Sequence, residues 1–265
     1  MAAASPSELA HQLKSILEQG RTAALVTVVE GAANVGSKMI VEQSGATFGT
    51  LGDFDQAVNE YVTQFLTSLE PMRILTGAEL TPESMHPDAQ ILFERIESEP
   101  RVVICGAGHV GAALARLASM LGYAVTLIDD RADFLSPATF LSTVALVLAD
   151  SWSDTVTKAI GNGVGVSVAV VTRGHSEDEQ CLRAVMQSDP AYVGMIGSKR
   201  RTRIVLDRLR NAGIDEGKLL HVHAPIGLDI GAVTPEEVAL AILAEIVMVR
   251  RGGTGTALSS LKRRP

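Results

Sequence analysis

The sequence predicts an α/β protein in which a doubly wound parallel sheet follows a small α+β domain. A glycine-rich loop in the second half of the chain lies between an apolar run and a helical pattern, as phosphate loops of such sheets do. Beyond that loop, apolar runs alternate with helical patterns as far as residue 250. The first 72 residues instead mix two helical patterns with short β-branched runs, which predicts the smaller domain.

The composition argues against several classes of partner. Hydrophobic residues make up 46% of the 265 residues and charged residues 20%, which is enough apolar material for a large packed core. A formal net charge of −7 and an aromatic content of 4% argue against a nucleic-acid partner. The longest apolar helical pattern, 238–249, is too short to span a bilayer and contains Glu245, so no membrane partner is expected.

The cysteines and the N-terminus indicate a cellular compartment. Cys105 and Cys181 belong to no C-x-x-C pair, so no zinc, iron–sulfur or other metal site is expected. Free thiols fit a reducing cytoplasm. The N-terminus has no basic stretch followed by an apolar one, and no signal peptide is expected. We therefore expect a cytoplasmic protein.

Residues 1–72 are predicted to form the small α+β domain. Its first helix begins at Ser5–Glu8 and ends at Gly20. Three strands are expected to follow, at Ala23–Val29, Lys38–Glu42 and Ala46–Thr50. Asp53 then caps a second helix, whose apolar residues as far as Leu66 share one face.

Residues 73–100 are interpreted as the connection between the two domains. A short strand, Arg73–Leu75, is followed by a polar stretch with three prolines. Proline removes a backbone donor and interrupts regular structure. The second domain is therefore expected over 101–265.

The second domain is predicted to be a Rossmann-like parallel sheet. Strands are expected near 102–105, 124–128, 144–148, 166–171, 192–196 and 219–222. Helices are expected near 109–121, 153–160, 177–187, 199–212 and 235–250. Such strands end on one rim, where ligands of open α/β sheets bind. We therefore expect the functional residues directly after the strands.

The glycine loop after the first of these strands has the spacing G-x-G-x-x-G in its required context. Gly106 permits the tight turn, Gly108 lets backbone approach a pyrophosphate, and Gly111 lets the helix pack on the strand. The N-terminus of that helix offers free N–H groups to phosphate. His109 either points its ring at a phosphate or caps the helix.

An acidic residue ends the second strand of the sheet. Asp129 is placed to accept hydrogen bonds from both ribose hydroxyls of a nucleotide, which favours NAD over NADP. Arg131 leaves NADP open, because a nearby arginine accommodates a 2′-phosphate. These two residues and the glycine loop form the candidate nucleotide pocket.

Two later loops on the same rim supply further candidates. Ser198 is a good N-cap, but the basic residues after it, including Lys199 and Arg200, oppose the helix dipole. They either hold an anion such as a phosphate or pterin phosphate, or form salt bridges to acidic residues or to a partner subunit. His175 is either a ligand-binding residue or a surface residue. Asp229 either accepts from a ligand N–H or pairs with the basic turn.

The final helical pattern begins at a capping box, Thr234–Glu237, with proline at its first position. It is apolar nearly all round, which is typical of a core helix or a dimer interface. Glu245 within it needs a partner that the sequence does not identify.

Several segments together resemble the XdhC/CoxI family of maturation factors for xanthine and carbon-monoxide dehydrogenases. They are GAGHVG (Gly106–Gly111), IDDRADF (Ile128–Phe134), YVGMIGSKRR (Tyr192–Arg201) and HAPIGLDIGAVTPEEVALAILAEI (His223–Ile246). The last segment is long and idiosyncratic. The resemblance covers the second domain, and the N-terminal unit looks like a shortened version of the family's first domain.

The resemblance implies a cytoplasmic accessory protein and chaperone. Members of the family bind molybdenum cofactor (molybdopterin), promote its sulfuration and hand it to the apo-form of a molybdenum hydroxylase. A sulfurtransferase partner and a homodimer are implied in the same way. The Rossmann-like domain is implied to hold a nucleotide, such as NAD(P), or the nucleotide part of the cofactor.

The N-terminal domain departs from the family pattern. Where the family carries G-S-x-P-R-x-x-G, the segment Gly31–Met39 has neither proline nor arginine. Where it carries G-G-x-x-E, often with cysteine, the segment Gly49–Asp55 has no cysteine. Residues expected to grip the pterin or supply sulfur ligation are partly missing.

Three functions are weighed from the sequence. The first is a factor that binds and inserts molybdenum cofactor, without turnover chemistry of its own. The second is an NAD(P)-dependent oxidoreductase, supported by the glycine loop and Asp129, although no Tyr-x-x-x-Lys pair or evident His/Asp dyad occurs. The third is a non-catalytic nucleotide-binding regulator. The first is preferred because of the family resemblance.

Overall fold

The computed structural model describes residues 4–31, 34–68 and 70–260. The chain forms two compact units, Met1–Ser98 and Glu99–Pro265. The first is an α+β unit with an antiparallel sheet, and the second is an α/β unit with a parallel sheet. The predicted fold class is therefore confirmed.

The N-terminal unit is a five-stranded sheet with helices on both faces. Its helices are α1 (Pro6–Glu18), α2 (Asp55–Ser68) and α3 (Gly77–Leu80). Its strands are β1 (Ala23–Glu30), β2 (Lys38–Glu42), β3 (Thr47–Gly49), β4 (Met72–Thr76) and β5 (Gln90–Ile96). The strand order is β3-β2-β1-β5-β4, and every neighbouring pair is antiparallel.

Helix α2 covers one face of this sheet and contributes four buried side chains to the core. It buries Val58, Val62 and Phe65 against one face of the sheet. On the same face, the Phe93 ring of β5 lies 5.6 Å from the Phe65 ring, centroid to centroid. Helix α1 covers part of the opposite face through Leu9 and Ile16. Successive side chains along a strand point to opposite faces of the sheet, so alternate residues face α2 or α1.

The prediction that 73–100 connects the domains is wrong for most of that range. Strand β5 lies between β1 and β4 and pairs with both of them, so this range completes the first sheet. In β5, Ile91 and Phe93 are buried and alternate with the partly exposed Gln90, Leu92 and Glu94, which is the pattern of a half-buried strand. The prolines on either side of β5 led to the interpretation as a connection. Proline is excluded only from the interior of a strand, and none lies within β5.

The C-terminal unit is a six-stranded parallel sheet. Its strands are β6 (Arg101–Cys105), β7 (Ala124–Asp129), β8 (Val144–Leu148), β9 (Val166–Val170), β10 (Tyr192–Met195) and β11 (Val222–His223). Its helices are α4 (His109–Met120), α5 (Trp152–Ile160), α6 (His175–Val185), α7 (Lys199–Asn211), α8 (Glu216–Leu220) and α9 (Pro235–Arg251). The strand order is β11-β10-β9-β6-β7-β8.

Strand β6 shows why helices cover both faces of this sheet. Val102 and Ile104 face the cluster that contains α4 and α9. Val103 and Cys105 face the cluster that contains α5 and α6. A strand buried on both faces reads as a continuous apolar run, which is what the sequence shows at this position.

The strand predicted at 219–222 is misplaced. Residues Glu216–Leu220 form the short helix α8, and the edge strand β11 is only Val222–His223. The side chain of Asp215 accepts a hydrogen bond from the backbone N–H of Lys218 and so caps α8.

Within the residues described, no helix combines the length and the apolar character needed to cross a membrane.

Candidate functional site

A cavity of about 220 Å³ lies at the carboxyl ends of β6, β7 and β9. Five of the predicted residues line it: Gly106, Gly108, His109, Asp129 and Arg131. Phe134, Trp152 and Glu177 line it as well, although no signal in the sequence assigned them to this site. Parallel pairing therefore brings the glycine loop and the acidic strand end into one site.

The three glycines of the loop do different work. A Cβ on Gly106 would lie 2.6 Å from the carbonyl oxygen of Val171, and the φ of Gly106 is +114°. A Cβ on Gly111 would overlap the carbonyl oxygen of Gly106. A Cβ on Gly108 would meet no atom within 4 Å. Gly106 and Gly111 are thus required by the fold, whereas Gly108 faces open space at the cavity.

The N-terminus of α4 has no side-chain cap. Its N-cap residue is Gly108, and its first turn contains no acidic residue. Helices α5, α7 and α9, in contrast, begin with a Ser or Thr cap whose hydroxyl accepts a backbone N–H. The first-turn N–H groups of α4 and its positive dipole end are therefore available for an acceptor in the cavity.

The carboxylate of Asp129 is buried and is paired with Arg131. Nε of Arg131 lies 2.8 Å from Oδ1 of Asp129, and Nη2 lies 3.0 Å from Oδ2. The backbone N–H of Ala107 also donates to Oδ2, at 2.6 Å. Burial by itself would raise the pKa of Asp129, but the hydrogen bonds from Arg131 and Ala107 outweigh it and hold that pKa below its ordinary value.

Cationic and donor groups complete the cavity wall. Arg173 is exposed, and its Nη2 lies 3.5 Å from the carboxylate of Asp130. His109 is exposed at the first position of α4. Trp152 is only 6% exposed, and its indole N–H is buried without a hydrogen-bond partner. An unpaired buried donor is uncommon, which distinguishes Trp152 from the other residues of the cavity wall.

The basic turn at the start of α7 lies on the same rim but does not line this cavity. Ser198 caps α7 by accepting from the backbone N–H of Arg201, as predicted. Arg201 forms an ion pair with the fully buried carboxylate of Asp178, which is one of the salt bridges that the sequence left open. Lys199 and Arg200 are exposed. Strand β9 separates β10, which precedes this turn, from the glycine-loop strand β6.

Asp178 connects the two regions of the rim. The hydroxyl of Thr172, a residue of the cavity wall, lies 2.5 Å from its Oδ1. Burial raises the pKa of Asp178, and the hydrogen bonds from Thr172 and Arg201 offset only part of that effect. The arrangement fixes Thr172 and Arg201 in place next to the cavity.

His175 and Asp229 lie outside the cavity wall. His175 is the exposed first residue of α6. Asp229 is exposed in the loop before α9, and within the described part of the chain it forms no ion pair with the basic turn. The structure therefore does not bring these two residues to the glycine loop.

Glu245 has three partners that the sequence did not identify. Its carboxylate accepts from the hydroxyl of Tyr192 at 2.5 Å and from the backbone N–H of Gly227 at 2.8 Å. Nδ1 of His223 lies 3.2 Å from the same carboxylate, and the His223 ring stacks on that of Tyr192. The apolar loop after β11 is thereby tied to α9.

The divergent N-terminal segments have local structural roles. Gly49 has a φ of +88°, and a Cβ there would lie 2.5 Å from the carbonyl oxygen of Lys38. Asp55 accepts from the Thr50 hydroxyl and the Leu51 N–H at the start of α2. Ala32 and Ala33, in the other segment, lie outside the described residues.

Over the described ranges, no group of three or more His, Cys, Asp or Glu side chains is placed to hold a metal ion.

Two families of sequences match the two units. Residues 102–246, more than half of the chain, match the XdhC Rossmann domain. Residues 16–66 match the XdhC and CoxI family. A crystal structure of a xanthine dehydrogenase from Bacillus halodurans aligns with a TM-score of 0.62 at 20% identity, covering 94% of this chain and 68% of that chain. At that identity the likeness concerns the fold alone.

Curated relatives share about a quarter of the residues. The chain is 28% identical to the uncharacterized protein YqeB of Escherichia coli (strain K12), over 90% of this chain and 45% of YqeB. It is 27% identical to a probable xanthine dehydrogenase subunit of Bacillus subtilis (strain 168), over 61% of this chain and 46% of that protein. It is also 27% identical to the molybdenum cofactor insertion chaperone PaoD of E. coli (strain K12), over 57% of this chain and 40% of PaoD.

The matched regions span less than half the length of each of these relatives. The glycine loop, the acidic strand end and the loop before α9 all lie within the matched range 102–246. The chain therefore belongs to the XdhC and CoxI family.

Proposed function

We propose that this protein binds molybdenum cofactor and inserts it into a molybdenum hydroxylase of the xanthine or carbon-monoxide dehydrogenase type. Membership of the XdhC and CoxI family supports the proposal, as does the similarity to a relative named as a molybdenum cofactor insertion chaperone. The proposed partners are the apo-hydroxylase and a sulfurtransferase acting on the same cofactor.

The observation that carries the proposal is the open face of Gly108 at the uncapped N-terminus of α4. A phosphorylated pterin is an anion. Backbone N–H groups at a helix N-terminus can bind its phosphate if the phosphate can approach them closely. Gly108 leaves that approach open, because no atom lies within 4 Å of a Cβ placed there. Arg173 adds a cationic group and His109 an imidazole at the cavity wall, and Trp152 adds a buried donor.

The same cavity favours binding over turnover chemistry. The Asp129 carboxylate and the Thr172 hydroxyl at this cavity are already engaged, because Asp129 is paired with Arg131 and Thr172 is hydrogen-bonded to Asp178. A general base has to be free to reach the proton that it abstracts. We therefore propose a chaperone rather than an enzyme.

The experiment measures cofactor binding and transfer with the full-length protein. Protein purified under anaerobic conditions is oxidised, and bound pterin is quantified by its fluorescence. Transfer is followed as activity recovered by apo-hydroxylase. Gly108→Ala places a methyl group in the phosphate path, and we expect pterin retention and transfer to fall about tenfold or more. Loss of NADH absorbance with carbonyl substrates would instead select an oxidoreductase.

Gly253→Ala is the matched control. Gly253 has no positive φ, and a Cβ there would only touch Met248 at 3.5 Å, an ordinary contact. It lies after α9 and does not line the glycine-loop cavity. The control should retain pterin as the unaltered protein does. If the unaltered protein contained no pterin and recovered no hydroxylase activity, the proposal would be overturned.

A further inference from the structure

The carboxylate of Asp129 has no acceptor position left for a ligand. Oδ1 accepts from the backbone N–H of Arg131 at 3.0 Å and from its Nε at 2.8 Å. Oδ2 accepts from the Ala107 N–H at 2.6 Å and from Nη2 of Arg131 at 3.0 Å. A carboxylate offers about four lone-pair positions, and these four hydrogen bonds occupy all of them.

Arg131 is held in place by more than Asp129. The centre of its guanidinium lies 3.7 Å from the centroid of the Phe134 ring. Its Nε lies 3.7 Å from the carboxylate of Asp130. A planar guanidinium that meets a carboxylate with two parallel bonds and stacks on an aromatic face is strongly oriented. Its side chain is 28% exposed, so displacement would have to break a largely buried arrangement.

In dinucleotide-binding sheets, the acidic residue at the end of the second strand accepts from a ribose hydroxyl. A ribose diol brought to Asp129 here would have to displace the Arg131 side chain. If it did not, its hydroxyl groups would lose their water partners without gaining an acceptor, which is costly in a buried site. The cavity of about 220 Å³ is also smaller than typical ligand pockets, which begin near 300 Å³.

We propose that Arg131 is a specificity residue that occupies the ribose position of the glycine-loop cavity. The cavity then accepts a phosphate group whose substituent presents no ribose diol to Asp129, and it discriminates against adenine dinucleotides. The inference rests on the proposed use of this cavity for a phosphorylated ligand. It deepens that proposal by assigning the cavity to the phosphate rather than to a nucleoside.

Isothermal titration calorimetry on the full-length protein tests the inference with two compounds. Inorganic pyrophosphate carries the phosphates alone, and ADP-ribose adds an adenosine ribose diol. We expect the unaltered protein to bind pyrophosphate at least about tenfold more tightly than ADP-ribose. Hydrogen bonds to charged groups are strong enough that gaining one or two of them changes affinity by about this factor.

Arg131→Met keeps an unbranched side chain but removes the guanidinium, which frees acceptor positions on Asp129. We expect the affinity for ADP-ribose to rise at least about tenfold relative to that for pyrophosphate. Arg116→Met on the exposed face of α4 is the matched control and should leave the ratio unchanged. Should Arg131→Met fail to fold, Arg131→Lys loses the two-bond geometry but keeps the charge, and we expect a smaller rise.

Three outcomes would overturn the inference. They are tighter binding of ADP-ribose than of pyrophosphate by the unaltered protein, an unchanged ratio in both Arg131 variants, and no binding of either compound by any variant. The cofactor-transfer experiment reads a different quantity. Transfer by the unaltered protein with an unchanged ratio in the variants would refute the role of Arg131 and leave the proposed function standing.

Discussion

The hydroxyl of Tyr192 on β10 donates a 2.5 Å hydrogen bond to the buried carboxylate of Glu245 on α9. The same carboxylate holds the backbone N–H of Gly227, in the loop that follows β11. Burial raises the pKa of Tyr192, and the hydrogen bond to Glu245 raises it further. One side chain thus joins a strand, a loop and the last helix of the parallel-sheet unit.

Replacing Glu245 with leucine should destabilise this unit. The Tyr192 hydroxyl and the Gly227 N–H would each lose a buried acceptor, at about 1–3 kcal/mol per group. We therefore expect the free energy of unfolding in urea to fall by about 2–6 kcal/mol. Glu236→Leu, at an exposed position in the first turn of α9, is the control and should cost less than about 1 kcal/mol. Equal losses in the two variants would show that the network adds no stability.

Two glycines of the glycine loop, Gly108 and Gly111, should lose stability to different degrees when replaced by alanine. Gly111→Ala drives a methyl group into the carbonyl of Gly106, so we expect a loss of about 3 kcal/mol or more in unfolding free energy. Gly108→Ala meets open space, and its cost should stay near 1 kcal/mol, about the usual size of an N-cap change. Thermal unfolding followed by circular dichroism separates the two. A stable Gly111→Ala protein would mean that α4 and β6 do not pack as closely as described.

Asp129 should contribute to stability in a pH-dependent way. Because its pKa is lower in the folded protein than its ordinary value, its stabilisation is complete above the unfolded pKa of about 3.9 and is lost as the pH falls through the folded pKa. The stability difference between the protein and Asp129→Asn should therefore be constant from pH 7 to about pH 5 and shrink below about pH 4.

Urea unfolding at stepped pH values measures this difference. Asp133→Asn, an exposed acid four residues along the chain, is the control, and its curve should run parallel to that of the unaltered protein. If the Asp129→Asn difference stayed constant down to pH 3, the ion pair with Arg131 would not be stabilising the folded state.

The first unit should require residues beyond 72. A fragment of residues 1–98 retains all five strands, whereas a fragment of residues 1–72 lacks β5 and nearly all of β4. Without β5, the Phe93 ring no longer covers Phe65, and β1 loses one of its two pairing partners. We expect cooperative thermal unfolding, measured by circular dichroism, for the longer fragment only. A cooperative transition in the shorter fragment would show that β5 is dispensable.

Local sequence signals predicted the parts of the site that one segment can specify. The glycine spacing at Gly106–Gly111 placed the phosphate loop because backbone conformation and close approach depend on those residues alone. The caps at Ser198 and Thr234 were readable for the same reason, since the cap side chain bonds within its own turn. Strand β5 was missed because its position depends on pairing with distant strands.

Taken alone, the amino-acid order determined the alternation of strands and helices, the glycine loop and the family to which the chain belongs, because each is written in residues close together along the chain. Only the tertiary structure decided that Arg131 fills the acceptor positions of Asp129, that Arg201 pairs with Asp178, and that Glu245 holds Tyr192. A buried charge or hydroxyl needs a partner, but which group provides it depends on which elements pack together. That choice is made by the whole core, so no single segment of sequence contains it.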